Sequence, residues 1–267
     1  MNMYFHELRS LRKTTILWLI VLIALAALFL SIYPGMARDA EGFRKLLANY
    51  PAPVRAMLGI NLAYITSVTG FYSMIFSFIT LCGSIQAMNL GVSILSKEVR
   101  ERTADFLLVK PVSRPAIVSS KLFAALTTLL ATDVIYYAAL LLMVHWVKRG
   151  GFDQETFLLI NLSLFFLQLI FFAIGMVVSV FFNKIRSVLS ISLGIIFAFY
   201  ILSALLATGK EDQVYRYFLP FDYFNTAYII QHTAYQASFL IIAGCIFVAA
   251  IAASYVIYTR KDIHSVS

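Results

Sequence analysis

Six long apolar segments dominate the sequence and constrain the fold more than any other feature. A helix that crosses a bilayer needs roughly 17–25 apolar residues, and each segment reaches that length. The second is longer than one crossing requires, so its ends are expected to tilt or protrude. The segments occupy residues 16–33, 64–95, 122–147, 157–182, 188–207 and 239–258. The sequence therefore predicts an all-α integral membrane protein with six transmembrane helices, forming one domain over residues 1–267.

The composition excludes a soluble domain. Hydrophobic residues make up 61% of the chain and charged residues 13%, whereas a soluble domain carries about 25% charged residues. The formal net charge of +8 comes from basic residues that lie mostly between the apolar segments. That distribution suits membrane topology and anionic lipid headgroups better than nucleic acid, so no nucleic-acid partner is expected.

The positions of the basic residues predict the topology. Thirteen of the 21 Lys and Arg residues fall in the N-terminus, the loops 96–121 and 183–187, and the C-terminus, and the other eight fall in the opposite loops. Cytoplasmic loops carry the excess of positive charge, so both termini are predicted to be cytoplasmic, in a multi-pass protein of the inner (cytoplasmic) cell membrane. Four basic residues in the first outer loop oppose this bias; they are Arg38, Arg44, Lys45 and Arg55.

The N-terminus carries an amphipathic pattern. Residues 2–13 place Tyr4, Leu8 and Leu11 on one helical stripe with charges opposite. Such a pattern is typical of a helix that lies flat at the membrane interface. The sequence therefore predicts an N-terminal interfacial helix before the first span.

Two outer segments are also informative. Residues 40–49 predict a short amphipathic helix that stops before Pro51. Residues 215–235 are crowded with aromatic side chains. They are typical of an aromatic belt at the outer interface, or of a re-entrant pair of short helices broken at Pro220 and covered by protein.

No pattern of a catalytic or metal site occurs. Gly209-Lys210 is followed by Glu211 and lacks the upstream glycine of a phosphate-binding loop. No two histidines have metal-ligand spacing, and Cys82 and Cys245 both lie inside apolar segments. The chain is therefore not expected to be an enzyme or to hold a cofactor or metal. Its energy source would be an ion gradient or a partner chain.

The loop between the second and third spans carries the strongest functional pattern. Glu98 and Arg102 are four residues apart, in the favourable order for an ion pair on a helix. Pro111 ends this helix, and Ser113 and Pro115 lie where the next helix would be capped and begun. A short amphipathic helix joined to two spans suits docking on a soluble partner. An ordinary solvated loop remains the alternative interpretation.

This loop resembles the coupling-helix signature of ABC-2 type transporter permeases. That signature reads roughly Glu, then Gly-Thr-x-Glu-x-Leu-Leu, then Pro-Val-Ser-Arg and a later Lys. The chain departs from it at Arg102, where Gly is usual, and at Asp105, where Glu is usual. Asp105 keeps the acidic character of that position. The positions that match in full are Glu98, Thr103, Leu107, Leu108, Pro111, Val112, Ser113, Arg114 and Lys121.

The resemblance implies a fold and a mechanism. Two six-helix permeases, identical or different, would pair around a pathway. Each would dock one separately encoded ATPase on the 96–121 loop, with ATP and Mg²⁺ bound to that ATPase. The coupling residues implied are Glu98, Arg102, Thr103, Asp105, Leu107, Leu108, Pro111, Ser113 and Arg114. Members of the family export diverse substrates, and the sequence selects none.

Asp133 supports a competing hypothesis. It lies near the middle of the third apolar segment and is the one acidic residue predicted inside a span. Ionisable residues there usually face the bundle interior or water. Asp133 is either a neutral acid hydrogen-bonded to a neighbouring helix or part of the transport pathway, and a secondary transporter driven by an ion gradient would use such a carboxylate.

Two rows of small residues predict close helix packing. The rows are Gly83, Ala87 and Gly91 on the second span, and Ser190, Gly194 and Ala198 on the fifth. Both are interpreted as packing inside the subunit, with a subunit interface as the alternative.

Overall fold

The computed structural model describes residues 3–100, 113–147, 153–182, 185, 187–206 and 213–260. Within these ranges the elements are nine α-helices and two short 3₁₀ segments, η1 and η2, with no strand among them. In chain order they are α1 (Met3–Met36), α2 (Ala40–Ala48), α3 (Ala52–Met57), α4 (Val68–Arg100), α5 (Arg114–Val147), α6 (Gln154–Phe181), α7 (Val188–Leu206), η1 (Gln213–Phe218), η2 (Pro220–Asp222), α8 (Thr226–His232) and α9 (Ala237–Arg260).

Six of these helices are long and apolar enough to cross a membrane: α1, α4, α5, α6, α7 and α9. This confirms the six predicted spans in number and order. With an even number of crossings, the two ends of the described chain lie at the same end of the helix bundle, and the short helices α2, α3 and α8 lie at the other.

The prediction of a separate interfacial helix at residues 2–13 is wrong. Met3 to Met36 form one unbroken helix, about 51 Å long at 1.5 Å per residue. The reason is that no Gly or Pro separates residues 2–13 from the first span, so the stripe of Tyr4, Leu8 and Leu11 continues as the same helix. Its N-terminal turns pack against α5, where the Tyr4 hydroxyl bonds to Thr127 Oγ1 at 3.0 Å.

Polar caps set where two of the outer helices begin. The Asp39 carboxylate accepts a hydrogen bond from the Gly42 amide at 3.0 Å, at the start of α2. The Asn225 side chain accepts one from the Tyr228 amide at 3.1 Å, at the start of α8. Each cap satisfies an amide that the helix itself leaves free, and α2 confirms the short helix predicted at 40–49.

Helices α4 and α6 form the centre of the bundle. They pack along most of their length, and 61% of the residues in the apolar stretch of each are buried. A β-carbon on Gly175 of α6 would lie 2.7 Å from the Met88 carbonyl oxygen of α4 and 3.1 Å from the Gly91 Cα atom. The row on the second span therefore packs inside the subunit, as predicted.

The row on the fifth span does not. A β-carbon on Gly194 of α7 would meet nothing within 4 Å, and Ser190 and Ala198 are exposed on the same face. The internal-packing interpretation is wrong for this row, because α7 touches the bundle with its opposite side. Helices α1, α7 and α9 are the peripheral spans, with 17%, 22% and 11% of their apolar stretches buried.

The aromatic segment folds onto the ends of the spans. Its chain turns through η1, η2 and α8, with the break before Pro220. The Phe224 ring stacks on Phe166 of α6 at 5.6 Å, and Tyr235 meets Phe166 edge-on at 5.7 Å. Pro220 itself is buried. This arrangement favours the interpretation of short helices covered by protein, although Phe218 is 73% exposed.

Candidate functional site

The predicted coupling loop is described only at its two ends. Glu98 lies in the last turn of α4, which ends at Arg100. Ser113 and Arg114 lie at the start of α5. The other predicted coupling residues fall outside the described residues and stay predictions; they are Arg102, Thr103, Asp105, Leu107, Leu108 and Pro111.

The start of α5 follows the predicted pattern. The Ser113 carbonyl accepts the first hydrogen bond of the helix, from the Ile117 amide at 3.1 Å. Pro115 occupies the first turn, where its missing N–H is not needed. Arg114 Nη1 donates to the Thr259 carbonyl oxygen at 3.4 Å, in the last turn of α9. The C-terminal helix thus holds the chain where the loop re-enters the bundle.

Lys121 is the central residue of this region. Its side chain is 1% exposed, and its Nζ atom lies 3.3 Å from Glu7 Oε1 of α1. The same ammonium donates to the Ile94 carbonyl oxygen of α4 at 2.7 Å. A buried ammonium is tolerated only when it is paired and hydrogen-bonded. Lys121 therefore fixes α1, α4 and α5 against one another two turns from the start of α5.

A second contact ties α1 to α4. Lys97 Nζ donates to Ser10 Oγ at 2.6 Å, on the exposed side of the same region. We call the group of six residues that joins α1, α4, α5 and α9 the loop base. Its members are Glu7, Ser10, Lys97, Arg114, Lys121 and Thr259. None of these six residues lies in a cleft as a nucleophile or general base. Their contacts, one ion pair and three hydrogen bonds, link four helices.

Sequence reasoning found part of the loop base. Lys121 was identified only because it matches the family signature, and the sequence analysis did not identify Glu7 as a functional residue. The signal was present, because Glu7 is the one acidic residue among the first 38. A lone acid beside the start of a span needs a basic partner, and Lys121 inside an otherwise apolar stretch needs an acidic one.

A family model described as ABC-2 family transporter protein matches residues 1–263. The chain belongs to the ABC-2 transporter family. It is thus a multi-pass membrane protein and a permease component of an ABC transporter. Permeases of this family are transport components that are not themselves catalytic. No curated protein matches the sequence significantly.

Asp133 of this ABC-2 permease lies near the middle of α5. Both of its carboxylate oxygens are buried, and neither has a hydrogen-bond partner among the described residues. On α5 it adjoins Thr132, whose hydroxyl accepts a bond from Gln86 Nε2 at 3.3 Å. The structure thus gives no support to the hydrogen-bonded interpretation of Asp133, and its role in a pathway stays a prediction.

A buried polar network lies further along the same helix. The Tyr72 hydroxyl of α4 donates to Asn161 Oδ1 of α6 at 2.7 Å and lies 3.0 Å from the Tyr136 hydroxyl of α5. Asn161 Nδ2 donates to the Phe157 carbonyl at 2.8 Å. The network joins the three central helices and was not anticipated, because single polar residues inside an apolar segment give no sign of which neighbour they face.

A cavity of about 350 Å³ opens at the end of the bundle away from the termini. It lies between α4, α6, α7 and η2, with the turn 59–61 and part of α3 beside it. Its lining is mixed, with hydroxyl and amide side chains, four aromatic rings and two opposite charges, Arg55 and Asp222. No sequence pattern predicted this cavity, because its lining comes from seven separate parts of the chain.

Proposed function

We propose that this chain is the permease subunit of an ATP-driven exporter, and that a separately encoded ATPase docks on the 96–121 loop. The observation that carries the proposal is the loop base. A docking loop transmits movement only if its two ends are fixed to the spans it must move. Here Lys97 and Lys121 fix the two ends to α1, and Arg114 fixes the second end to α9.

The rigidity of these contacts supports coupling to the whole bundle. Lys121 is buried and bonded to both α1 and α4, so a displacement of the start of α5 carries α1 with it. Closely packed interfaces with two stable arrangements amplify small shifts into helix movements, and the loop base would be such an interface. ATP and Mg²⁺ would be held by the ATPase, and the permease would convert closure of the ATPases into opening of a pathway.

We propose further that two permeases pair, and that the exposed row of α7 lies in their interface. Gly194 has an open face, and Ser190 and Ala198 flank it one turn away on either side. Small residues let helix backbones approach closely in a membrane. Cysteines at Gly194, in a variant lacking Cys82 and Cys245 and treated with copper phenanthroline in air as the oxidant, should form a disulfide-linked dimer if the two subunits are identical.

The docking proposal is tested by site-specific photo-crosslinking in cells. A photoreactive amino acid at Asp105, on the predicted loop, should capture an ATPase with a phosphate-binding loop. The same amino acid at Asp39, at the other end of the bundle, is the matched control and should not. Capture at Asp39, or none at Asp105 from a correctly inserted chain, would contradict docking on this loop.

The ion-gradient alternative has one observation in its favour, the buried and unpartnered carboxylate of Asp133. Such a group is costly and is usually retained for function. Vesicles that hold the purified permease without any ATPase separate the two proposals. If the chain is an exporter subunit, a proton gradient alone should drive no substrate movement across the vesicle membrane. If it is a secondary transporter, the gradient alone should drive that movement.

A further inference from the structure

The cavity between α4, α6, α7 and η2 offers mainly hydrogen-bond acceptors along its α4 wall. Ser73 Oγ donates to the Gly70 carbonyl at 2.7 Å, Ser77 Oγ to the Met74 carbonyl at 2.8 Å, and Thr80 Oγ1 to the Ser77 carbonyl at 2.9 Å. Each hydroxyl has one proton, and here α4 itself takes it. Ser77 also hydrogen-bonds the Tyr200 hydroxyl, so what remains for a ligand along this wall is the lone pairs of Ser73 and Thr80 and the remaining lone pair of Ser77.

Asp222 adds a carboxylate to the same cavity. Its Oδ1 atom accepts a bond from Ser203 Oγ at 2.7 Å, whereas Oδ2 is buried and has no partner in the described chain. Arg216 does not line the cavity. It donates to the Asp222 main-chain oxygen at 3.1 Å and to Gln236 Oε1 at 3.0 Å, and its guanidinium lies over the Phe239 ring.

Burial raises the pKa of the Asp222 carboxyl, against lowering by the Ser203 hydrogen bond and the Arg216 charge. A cationic donor at Oδ2 stabilises the carboxylate in this position, because it supplies the missing hydrogen bond and adds to the positive charge of Arg216. A water molecule at Oδ2 would supply the hydrogen bond but no positive charge.

Arg55 is the second charged side chain of the cavity. Within the described ranges it takes part in no ion pair, and no hydrogen bond of its side chain is found there. Its nitrogen atoms lie more than 4.0 Å from the carboxylate of Asp222, since the two form no ion pair. Among the described residues, the cavity therefore holds one cation without an ion pair, Arg55, and one carboxylate with an unpartnered oxygen, Asp222, and the two do not pair with each other.

We propose that this cavity is a binding site for a free α-amino acid. The ligand's ammonium group would bind Asp222 Oδ2 and the hydroxyl lone pairs of α4, and its carboxylate would bind the Arg55 guanidinium. A zwitterion satisfies both charges at once, whereas a simple cation or anion satisfies one and is repelled by the other.

The size of the cavity agrees with a small ligand. Ligand pockets span roughly 300–1,000 Å³, and the 350 Å³ here lies at the lower end. The aromatic rings of Phe76, Phe221 and Phe224 supply an apolar wall for a side chain. As a substrate class for the exporter, this inference rests on the proposed function, but amino acid binding itself does not need the ATPase.

The test measures ligand protection of a cavity cysteine in the full chain. Ala227→Cys, in a variant with Cys82→Ser and Cys245→Ser, is purified in nanodiscs and treated with a neutral thiol reagent; Ala227 lines the cavity and offers the ligand no polar side-chain group. A mixture of the nineteen protein amino acids other than cysteine, whose own thiol would consume the reagent, should slow the reaction at millimolar concentration, by about tenfold near ten times the dissociation constant, as single-site occupancy requires. N-acetyl amino acids and amino acid amides at the same concentration should protect much less.

Two cavity variants and two matched controls assign the charges. Asp222→Asn should remove the preference for amino acids over N-acetyl amino acids, and Arg55→Gln should remove the preference over amides. Asp153→Asn and Arg38→Gln change the same charges at the same end of the bundle, outside the cavity lining, and should leave protection unchanged. Size-exclusion profiles check that each variant folds. If Asp222→Asn does not fold, the loss of preference over amides in Arg55→Gln tests the amino acid site on its own.

Three results would overturn the inference. The first is no protection of the folded parent by the amino acid mixture. The second is equal protection by zwitterions, N-acetyl forms and amides. The third is protection that requires phosphatidylethanolamine in the nanodisc, since that headgroup carries the same ammonium and acid chemistry. None of these bears on docking of the ATPase, which the crosslinking at Asp105 tests separately.

Discussion

Lys121 Nζ lies 3.3 Å from Glu7 Oε1, and the two side chains are 1% and 11% exposed. This ion pair joins the first and third spans at the loop base. Removing one partner of a buried pair leaves the other charge without compensation, whereas replacing both by apolar residues is often neutral.

The first prediction follows from that asymmetry. Lys121→Met should lower the free energy of unfolding by about 3–5 kcal/mol, and the double variant Glu7→Leu/Lys121→Met should recover most of the loss. Denaturant unfolding in detergent measures both. Lys97→Met is the control: it removes an exposed bond to Ser10 and should cost less than about 1 kcal/mol. A double variant as unstable as Lys121→Met would show that the pair itself is not what matters.

The second prediction concerns coupling rather than stability. If the loop base transmits movement, Glu7→Leu/Lys121→Met should fold and bind its ATPase, yet transport per ATP hydrolysed should fall. The measurement is substrate movement and phosphate release in the same vesicles. An unchanged ratio in a folded complex would leave the pair with a purely structural role.

The third prediction concerns Asp133, whose carboxylate oxygens are buried without a partner in the described chain. Asp133→Asn keeps the shape and removes the charge. We expect normal insertion and assembly with the ATPase but reduced transport, because a polar group retained without structural compensation is usually functional. Transport equal to that of the parent protein would exclude this role.

The fourth prediction tests the network of Tyr72, Asn161 and Tyr136. Tyr72→Phe should destabilise the protein by about 1–3 kcal/mol, because Asn161 Oδ1 is left buried without its donor. Tyr255→Phe on α9 removes a hydroxyl for which no hydrogen bond is found in the described ranges, and should have little effect. Thermal unfolding of the two variants compares their losses of stability. Equal losses would show that the hydrogen bonds of the network contribute no stability.

The fifth prediction concerns Asp153, which caps α6. Its carboxylate accepts bonds from the Thr156 hydroxyl and from the Glu155 and Thr156 amides. These bonds, the Thr156 hydroxyl first, lower the pKa of Asp153 against a smaller opposing effect of burial. Because the pKa is lower in the folded state, the stabilisation is present above the unfolded value of about 3.9 and is lost as the pH falls through the folded value.

Asp153→Ala should therefore cost about 1 kcal/mol at neutral pH, and the difference from the parent should shrink in acid. Asp153→Asn retains a capping side chain but cannot titrate, so it should lose the pH dependence and keep most of the stability. Unfolding measured at several pH values between neutrality and the acid limit of the folded state distinguishes the three proteins. A difference independent of pH would contradict the role of the ionised carboxylate.

Much of the fold could be predicted from the sequence because hydrocarbon leaves little choice. Inside a bilayer every backbone group must be satisfied within the helix, so the lengths of the apolar segments predict six spans. The start of α5 at Arg114 was equally predictable, because Ser113 and Pro115 are local signals. Helix α1 shows the limit of such patterns: an amphipathic stripe beside a span gives no boundary unless a helix-breaking residue marks one.

The functional contacts were harder to predict because they join residues far apart in sequence. Between Glu7 and Lys121 the chain passes through most of α1 and all of α2, α3 and α4. Arg55 and Asp222 line the same cavity from α3 and η2. Hydropathy ranks residues along the chain, whereas these pairs depend on how the helices rotate and pack. The Gly194 row shows the same limit, since spacing alone predicts close packing but not which side of the helix finds a partner.

The unbroken course of α1 has a mechanical consequence. One end of this helix carries Glu7, and the other reaches Met36, after which the chain continues through α2 to α3, the helix that carries Arg55 of the cavity. Pro34 lies in the last turn of this helix; from Met3 to Tyr33 the helix is about 46 Å long and stiff, so a tilt of about 5° about one end displaces the other by about 4 Å. A movement of α1 at one face of the membrane would therefore displace its residues at the other face, without any relay of side chains through the apolar interior.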